Sequence, residues 1–354
     1  MENNKKLDFS NEHFFIGIDT HKNSWKVAII TQDLTFKPYS MNPDPNILIE
    51  HMRKNYPNGI YHSVYEAGFC GFHIHEKLTE AGFNNIIVHP ADVPTTGKEK
   101  AFKTDSVDCM KLARELLNGT LHCIYIPDKY HQALRCLVRR REDLADRQKV
   151  IKQKIKSLLN FTGINLPDEL SHWSGKLIEY LKKIIFDFDP GKENLDLLIE
   201  ELIHIKKLIS TALKSIRKEI KAKPDIKKEI DLLITVPGIG FVTAVTLYTE
   251  IIEIDRFKKL GQLPSFVGLV PSVHASGDHE RSLGITRRHN SHLRNLLIES
   301  AWRAIIADPA LSMAYEKLKK RMTGQKAIIR IAKKLLLRAR HVWQTQEQYA
   351  MAVV

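Results

Sequence analysis

The chain has 354 residues, and its shares of 43% hydrophobic and 27% charged residues exclude extensive disorder and allow two or three domains. Its net charge of +13 is more than an enzyme of small molecules needs and favours a polyanionic partner, most often nucleic acid. Because no apolar run approaches the roughly 20 residues that cross a bilayer, the sequence predicts a cytoplasmic protein.

The first segment alternates strand and helix patterns. HFFIGIDT and WKVAIIT predict two strands joined by a polar turn, and GIYHSVYEA predicts a third strand that ends in Glu66. A helix over residues 71–81, a buried strand in NNIIVHP, a helix over KTDSVDCMKLARELLNG and an extended LHCIYIP follow. This order indicates an α/β domain.

From residue 131 the pattern changes to long, charged helices. Apolar residues recur at coiled-coil spacing in two segments, which the loop-like stretches NFTGINLPDELSHWSG and DFDPGKEN separate. A coiled-coil arm and a plain helical bundle fit this pattern about equally well. The recurring residues are Leu134, Leu137, Leu144, Ile151, Ile155 and Leu158, and then Leu195, Leu198, Leu202, Ile205, Ile209, Ala212, Ile216 and Ile220.

Four carboxylates occupy related positions in the first segment. Asp19 and Glu66 each close a predicted strand, and Asp105 and Asp108 project from one face of a predicted helix. Such a set could hold Mg²⁺, and two such ions about 4 Å apart stabilise the attacking and leaving oxygens in phosphoryl transfer. Each acid alone also has a structural explanation, as a cap, a surface acid or a partner of the helix dipole. Their shared location favours the metal site.

A glycine-containing turn follows the long helices, in LLITVPGIGFVTAVTLYTEI. It predicts a helix-hairpin-helix, in which Gly238 and Gly240 let the backbone approach a phosphate and the second helix presents free N–H donors. The alternative is a tight interhelical turn without a ligand.

Two basic regions come next. Ser276 lies in a predicted polar loop, where a serine near arginines could be a nucleophile and where a simple turn residue is the alternative. An amphipathic basic helix is predicted farther on, with one face for phosphates, and a merely solvated face is its alternative. The basic residues are Arg281, Arg287, Arg288 and Arg294 after the serine, and Lys326, Arg330, Lys333, Lys334 and Arg338 on the helix.

Together these segments resemble the DEDD insertion-sequence transposases of the IS110 family, whose members include bridge-RNA-guided recombinases. The matching pieces near the start of the chain are GIDTHK, YEAGFCGF and KTDSVDCMKLA. Those near its end are ITVPGIGFVTA, FVGLVPSVHASG and GITRRHNSHLRNLLIESAW. Their order and spacing span nearly the whole chain.

The resemblance implies an α/β RNase H-like, RuvC-type domain over residues 1–128. A helical coiled-coil insertion over 129–222 and a mainly α C-terminal transposase domain with the helix-hairpin-helix over 223–354 would follow. It further implies that the DEDD acids bind Mg²⁺ and that the serine attacks DNA, which leaves a 5′-phosphoserine link. The acids are Asp19, Glu66, Asp105 and Asp108, and the serine is Ser276.

The implied partners are donor DNA, target DNA and a noncoding bridge RNA whose loops pair with both DNAs, so that base pairing reads the sequence. The family pattern also implies a homodimer that assembles to a tetramer, with a composite site between subunits. One departure is that Arg287, Arg288 and His289 stand where relatives often have Lys-x-Gly, which keeps the charge and loses the glycine of the local turn.

Two other functions fit the same residues. A RuvC-like metal-dependent junction nuclease would cut with water and would make Ser276 dispensable. A non-catalytic nucleic-acid-binding scaffold would use the acids only structurally, so Asp19→Asn would leave every DNA-dependent activity intact.

Overall fold

The computed structural model describes residues 7–97, 99, 104–170, 172–276 and 279–351, without the side chains of residues 168 and 272–283. The chain splits into two compact units, Met1–Ile126 and Pro127–Val354. Within the described ranges, no helix combines the length and the apolar character that a membrane span requires. The division into three domains stays a prediction.

A five-stranded mixed sheet forms the centre of the first unit, in the order β3-β2-β1-β4-β5. β2 pairs antiparallel with β1 and β3, whereas β4 pairs parallel with β1 and β5. This mixed α/β arrangement is consistent with the RNase H-like fold that the resemblance implies. The strands are β1 (His13–Thr20), β2 (Trp25–Ile30), β3 (Tyr39–Met41), β4 (Ile60–Glu66) and β5 (Asn84–Val88).

Helices cover both faces of this sheet. Phe14 and Ile18 of β1 pack in one apolar core with Leu48 of α1 (Pro45–Asn55) and with Ile74 of α2 (His73–Glu80). On the opposite face, Val64 of β4 packs with Leu112 of α3 (Asp105–Leu117). The centre of β1, FFIGI, is therefore a continuous apolar run, because both faces of the strand are covered.

A helix approaches the sheet closely at Gly17 of β1. A Cβ at this position would lie 2.0 Å from the carbonyl oxygen of Cys109 and 2.6 Å from the backbone nitrogen of Ala113, both in α3. Only glycine leaves room for the helix backbone here. This contact sets the distance between α3 and β1. It lies two residues before Asp19 on β1.

The second unit begins with an antiparallel helix pair, α4 (Lys129–Phe161) and α6 (Asp189–Lys221), with the short α5 (Gly175–Lys182) between them. Ile155 and Leu159 of α4 share a core with Leu195 and Ile199 of α6. The prediction of a loop over DFDPGKEN is wrong from Asp189 onward, because α6 begins there and tolerates its proline within the first turn, whereas Asp187 and Phe188 precede the helix. The coiled coil itself stays a prediction.

The rest of the second unit is mainly helical and surrounds one large apolar core. Leu233, Ala244, Leu297 and Leu335 are fully buried members of that core. Its elements are α7 (Pro224–Ile234), α8 (Phe241–Ile251), α9 (Gln262–Val267), β6 (Pro271–Ser276), β7 (His279–Ile285), α10 (Ser291–Ala307), α11 (Pro309–Lys319) and α12 (Gly324–Thr345).

A β-hairpin replaces part of the polar loop that the sequence predicts around Ser276. β6 and β7 pair antiparallel, and Ser276 is the last residue of β6, opposite His279. The prediction of a loop is wrong at this point, because the strands carry many polar residues and few apolar ones to mark them. Gly277 lies outside the described residues.

Candidate functional site

Two carboxylates and one imidazole meet near the end of β1 and the start of α3. Asp19 is the last residue but one of β1, His21 follows that strand, and Asp105 is the first residue of α3. The His21 Nε2 atom lies 3.2 Å from Asp19 Oδ2 and 3.6 Å from Asp105 Oδ1. One ligand atom from each residue lies within 4.8 Å of the other two, so the three residues could hold one metal ion.

Glu66 lies at the end of β4, the strand next to the one that carries Asp19. Since parallel pairing matches Ile18 of β1 to Tyr65 of β4, Asp19 and Glu66 take the next positions of the two neighbouring strands. Side chains alternate across a sheet, which places both acids on the face that α3 covers, as it covers Gly17. The Glu66 carboxylate is nevertheless not one of the three groups within 4.8 Å.

Asp105 and Asp108 both lie in the first turn of α3. Neither makes the capping bond, because the Thr104 hydroxyl accepts it from the Val107 N–H at 3.3 Å. Asp108 Oδ1 instead accepts a hydrogen bond from Lys111 Nζ at 3.0 Å. Capping therefore does not explain these acids, although both lie at the positive end of the helix dipole.

The electrostatics around Asp19 favour a cation. Burial raises the pKa of the half-buried Asp19 carboxyl, the contact with His21 lowers that pKa, and the charges of Asp105 and Asp108 raise it again. A divalent cation relieves repulsion of this kind, and both carboxylate oxygen and imidazole nitrogen are suitable ligands for it. The donor set of Asp19, His21 and Asp105 therefore fits a divalent metal ion.

Asp19, His21 and Asp105 form the metal-ligand group. This group borders a cleft of about 390 Å³. Its lining includes His21, Asp105, Lys26 and Ser40, and the Lys26 ammonium donates a hydrogen bond to the Ser40 hydroxyl at 3.2 Å. An ammonium and hydroxyls beside carboxylates suit a ligand that carries phosphate groups. The cleft therefore fits phosphoryl chemistry better than chemistry on an apolar substrate.

The turn between α7 and α8 coincides with the predicted helix-hairpin-helix. Gly238 has a φ of +90°, and a Cβ there would lie 2.6 Å from the Ala304 Cβ of α10. Gly240 precedes α8 without a side-chain cap, and the space beside it is open. Gly238 thus permits close packing inside the protein, whereas Gly240 leaves the amide end of α8 open, as phosphate binding requires.

The predicted arginines after the hairpin differ in their surroundings. Arg287 and Arg288 are exposed, whereas Arg294 is half-buried and donates a hydrogen bond to the Thr286 carbonyl. Burial lowers the pKa of the Arg294 guanidinium. Arg294 therefore holds the segment before α10, and Arg287 and Arg288 remain the solvent-facing cations of this motif. The side chains of two other predicted residues, Ser276 and Arg281, lie outside the described part of the chain.

A buried acid of α8 anchors this arginine segment. Glu250 is 3% exposed and binds Arg139 of α4 through two hydrogen bonds, of 2.7 and 2.8 Å. The Asn290 amide donates to Glu250 Oε2 at 2.9 Å, while the Asn290 side-chain oxygen caps α10. Burial alone raises the pKa of Glu250, but the bonds from Arg139 and Asn290 hold it below its usual value. Glu250 therefore ties the start of α10 to α4.

We expect Glu250→Gln to lower the free energy of unfolding by about 1–3 kcal/mol, because Arg139 loses a charged partner at a buried site. A carboxyl group whose pKa is lower in the folded protein than in the unfolded chain stabilises the fold at pH values above its unfolded-state pKa of about 4.3. This stabilisation disappears as the pH falls through the folded-state pKa. The difference between wild type and variant in urea denaturation should therefore shrink below about pH 4. As a control, Glu316→Gln removes an exposed partner of Lys319 and should change stability by under about 0.5 kcal/mol. Equal effects of the two substitutions would contradict the anchoring role.

The predicted basic helix is α12, and its apolar and charged faces are distinct. Ile328, Ile331 and Leu335 are buried. Lys326, Arg330 and Lys334 are exposed at four-residue spacing, and Lys333 is half-buried. Arg338 differs from them, because it forms an ion pair with Asp308, which is 2% exposed.

Sequence patterns missed several residues of these sites, among them His21 and Glu250. His21 could have been found as an imidazole two residues after an acid at a strand end. Glu250 gave only a weak signal, a single acid in an otherwise apolar helix, and its partner on α4 lies more than a hundred residues away along the chain.

Two protein families match this chain. Residues 16–164 match the DEDD transposases of the IS110 type, described as "Transposase". Residues 230–316 match the family described as "Transposase IS116/IS110/IS902 family". The first match contains all four predicted acids, and the second contains both glycines of the turn, Ser276 and the arginine segment.

Individual relatives agree with these families. The chain is 28% identical over 238 residues to y4qE of Sinorhizobium fredii, with 67% of this chain and 57% of y4qE covered. It is 27% identical over 239 residues to the transposase for insertion sequence element IS1111A of Coxiella burnetii, with 67% and 64% covered. The chain thus spans less than two thirds of the length of either protein. The pilin gene-inverting protein of Moraxella lacunata is 25% identical over 342 residues, with 91% of this chain and 93% of that protein covered.

Proposed function

The chain belongs to the IS110-type family of DEDD transposases, and from this premise we propose that it is the transposase of an insertion sequence, an enzyme that cuts and rejoins DNA. The convergence of Asp19, His21 and Asp105 within 4.8 Å carries this proposal, because phosphoryl transfer needs a cation at such a place. The relatives named for transposition and gene inversion support it.

We assign Mg²⁺ as the metal, with Asp19 and Asp105 as direct ligands and Glu66 and Asp108 as the remaining acids of the DEDD set. When bound, the ion stabilises negative charge on the phosphate oxygens. The residues of the chain position the DNA strand beside it. Lys26 and the hydroxyls of the adjoining cleft can bind the phosphates on either side of the reacting one.

Ser276 is the proposed nucleophile. Its Oγ forms a bond to phosphorus while the P–O3′ bond breaks, the serine hydroxyl loses its proton and the released 3′-oxygen gains one. The product is a 5′-phosphoserine link and a free 3′-hydroxyl. Attack by the 3′-hydroxyl of another strand reverses the step, rejoins DNA and restores the serine without an external energy source. Arg287 and Arg288 stabilise the phosphate charge during both steps.

The proposed partners are donor DNA, target DNA and a noncoding bridge RNA. The net charge of +13 supports extended contact with phosphates, and base pairing by the RNA supplies the sequence recognition. Gly240 and the start of α8 contribute backbone contacts as a helix-hairpin-helix. A homodimer that assembles to a tetramer would bring together the two DNAs that are exchanged.

The exposed cations of α12 predict a strong salt dependence of nucleic-acid binding. Lys326→Gln, Arg330→Gln and Lys334→Gln together should reduce the slope of log affinity against log salt by about 2–3, since each phosphate contact contributes about 0.7–0.9. Fluorescence anisotropy with labelled DNA between 50 and 300 mM salt would measure this slope. As a control, the exposed Lys207, Lys214 and Lys218 of α6 can be changed to glutamine. Equal losses of slope in the two triple variants would contradict a phosphate-binding role specific to α12.

The proposed reaction is tested by denaturing electrophoresis after incubation with Mg²⁺, the flanking noncoding RNA and labelled donor and target DNA. Wild-type protein should give a covalent protein–DNA band that Ser276→Ala loses completely. Ser282→Ala, in the second strand of the same hairpin, should retain the band. Cleavage by Ser276→Ala that yields only free ends would support the junction nuclease instead. The absence of cleavage by wild type in all these mixtures would support the scaffold.

A further inference from the structure

Lys111 is an unusual neighbour for an acid of a metal site. Its ammonium lies 3.0 Å from Asp108 Oδ1, and the side chains of Lys111 and Asp108 are only 8% and 19% exposed. The pair Lys77–Glu80 has the same three-residue spacing on α2, yet its side chains are 55% and 59% exposed. A largely buried ion pair seldom stabilises a fold by itself, because removing both charges from water is costly. The position of Lys111 therefore suggests a role in the charge balance of the site.

Asp108 lies near the metal-ligand group, but its carboxylate is not one of the three ligands in that group. Asp108 lies with Asp105 in the first turn of α3, and their three-residue spacing places both carboxylates on one side of the helix. The ligand atoms within 4.8 Å of one another nevertheless belong to Asp19, His21 and Asp105. The carboxylate of Asp108 already has a cation beside it, namely the Lys111 ammonium. A second divalent ion at Asp108 would have to displace that ammonium or bear its repulsion.

His21 makes the remaining ligand set more selective than carboxylates alone. Its Nε2 atom faces both Asp19 and Asp105, at 3.2 and 3.6 Å. Imidazole nitrogen suits Mn²⁺ and later transition metals better than Mg²⁺, which prefers oxygen ligands and retains its waters. A site with one nitrogen donor should therefore bind Mn²⁺ more tightly than Mg²⁺. Removal of that donor should reduce the difference between the two affinities.

We propose that the acidic site of the first unit holds one divalent cation, bound by Asp19, His21 and Asp105, and that the Lys111 ammonium replaces a second metal ion at Asp108. This inference rests on the proposed metal-dependent function and sets its metal stoichiometry. The fixed ammonium compensates Asp108 at all times, and the exchangeable ion compensates Asp19 and Asp105. The site therefore has a permanent positive charge and a removable one.

The test is a Mn²⁺ titration of the full chain at fixed pH, followed by electron paramagnetic resonance and repeated with Mg²⁺ by calorimetry. Only binding that the Asp19→Asn, Asp105→Asn double variant loses is assigned to the site. Wild type should bind one Mn²⁺ per chain there. Lys111→Gln should bind two, while Lys111→Arg and the matched control Lys77→Gln should each bind one. His21→Ala should weaken Mn²⁺ binding about tenfold and Mg²⁺ binding by less than threefold.

Two cations in wild type would overturn the inference without any variant, so the test does not depend on the folding of Lys111→Gln. One cation in a folded Lys111→Gln would also overturn it. Equal weakening of Mn²⁺ and Mg²⁺ in His21→Ala would remove His21 from the ligand set. Two cations at the acids would leave the proposed transposase function intact. If no cation binds at the acids, the proposed metal-dependent reaction is contradicted as well.

Discussion

Asp19→Asn and Asp105→Asn should each reduce DNA strand cleavage by at least about 10³-fold, which corresponds to about 4 kcal/mol of lost transition-state stabilisation. Both carboxylates belong to the group that could hold a metal ion, and asparagine keeps the shape of the side chain while it removes the charge. The measurement is the single-turnover cleavage rate of labelled DNA with the RNA bound and Mg²⁺ saturating. Binding of DNA in the absence of metal should change less than threefold.

Asp33→Asn is the matched control for this experiment, because Asp33 is an exposed acid of the same unit outside the metal-ligand group. It should cleave at the wild-type rate. If all three variants cleave at the wild-type rate, the acids have no catalytic role and the serine site must act without them. A loss of DNA binding that parallels the loss of cleavage would instead indicate a scaffold role for these acids.

Gly17→Ala should have the largest effect of any single methyl group in the first unit. The added Cβ would lie 2.0 Å from the Cys109 carbonyl oxygen, so the backbone of α3 has to move. We expect the free energy of unfolding to fall by about 3 kcal/mol or more, since overpacking against backbone cannot be relieved by a side-chain rotation. Urea denaturation measures this change. Cleavage by the folded fraction should fall about 10²-fold, because α3 carries Asp105 away from Asp19.

Gly97→Ala serves as the control, because a Cβ at Gly97 meets no atom within 4 Å. It should change stability by under about 1 kcal/mol and leave cleavage unchanged. If Gly17→Ala and Gly97→Ala unfold at the same urea concentration, α3 does not approach β1 as closely as this structure indicates. A Gly17→Ala protein that is destabilised but cleaves normally once folded would separate packing from catalysis.

Much of the first unit could be predicted from local patterns. The apolar runs that form β1, β2, β4 and β5 are long enough to be recognised, because burial on one or both faces leaves a clear signal. The 11-residue α1 was not predicted, although Asp44 followed by Pro45 marks the start of a helix. The three-residue β3 gave no comparable signal, since so short a strand depends on its neighbours. The hairpin of β6 and β7 was missed for a related reason, because its polar strands look like loops.

The candidate site could be predicted in outline and not in its charge pairing. The placement of Asp19 and Glu66 at strand ends and of Asp105 and Asp108 at a helix start agrees with the structure. The burial of Lys111 depends on how α3 packs on the sheet, and no local pattern reports such packing. His21 likewise becomes a neighbour of Asp105 only after β1 and α3 are brought together.

The helices α4 and α6 have equal lengths of 33 residues each, which correspond to about 50 Å. They run antiparallel and share their apolar cores. One residue inserted in α4 alone would rotate everything beyond it by about 100° and would separate its core residues from their partners. Length changes during evolution should therefore occur in both helices at once, in steps of about seven residues or 10 Å. Among related genes, insertions and deletions in these two segments should be correlated and equal in size.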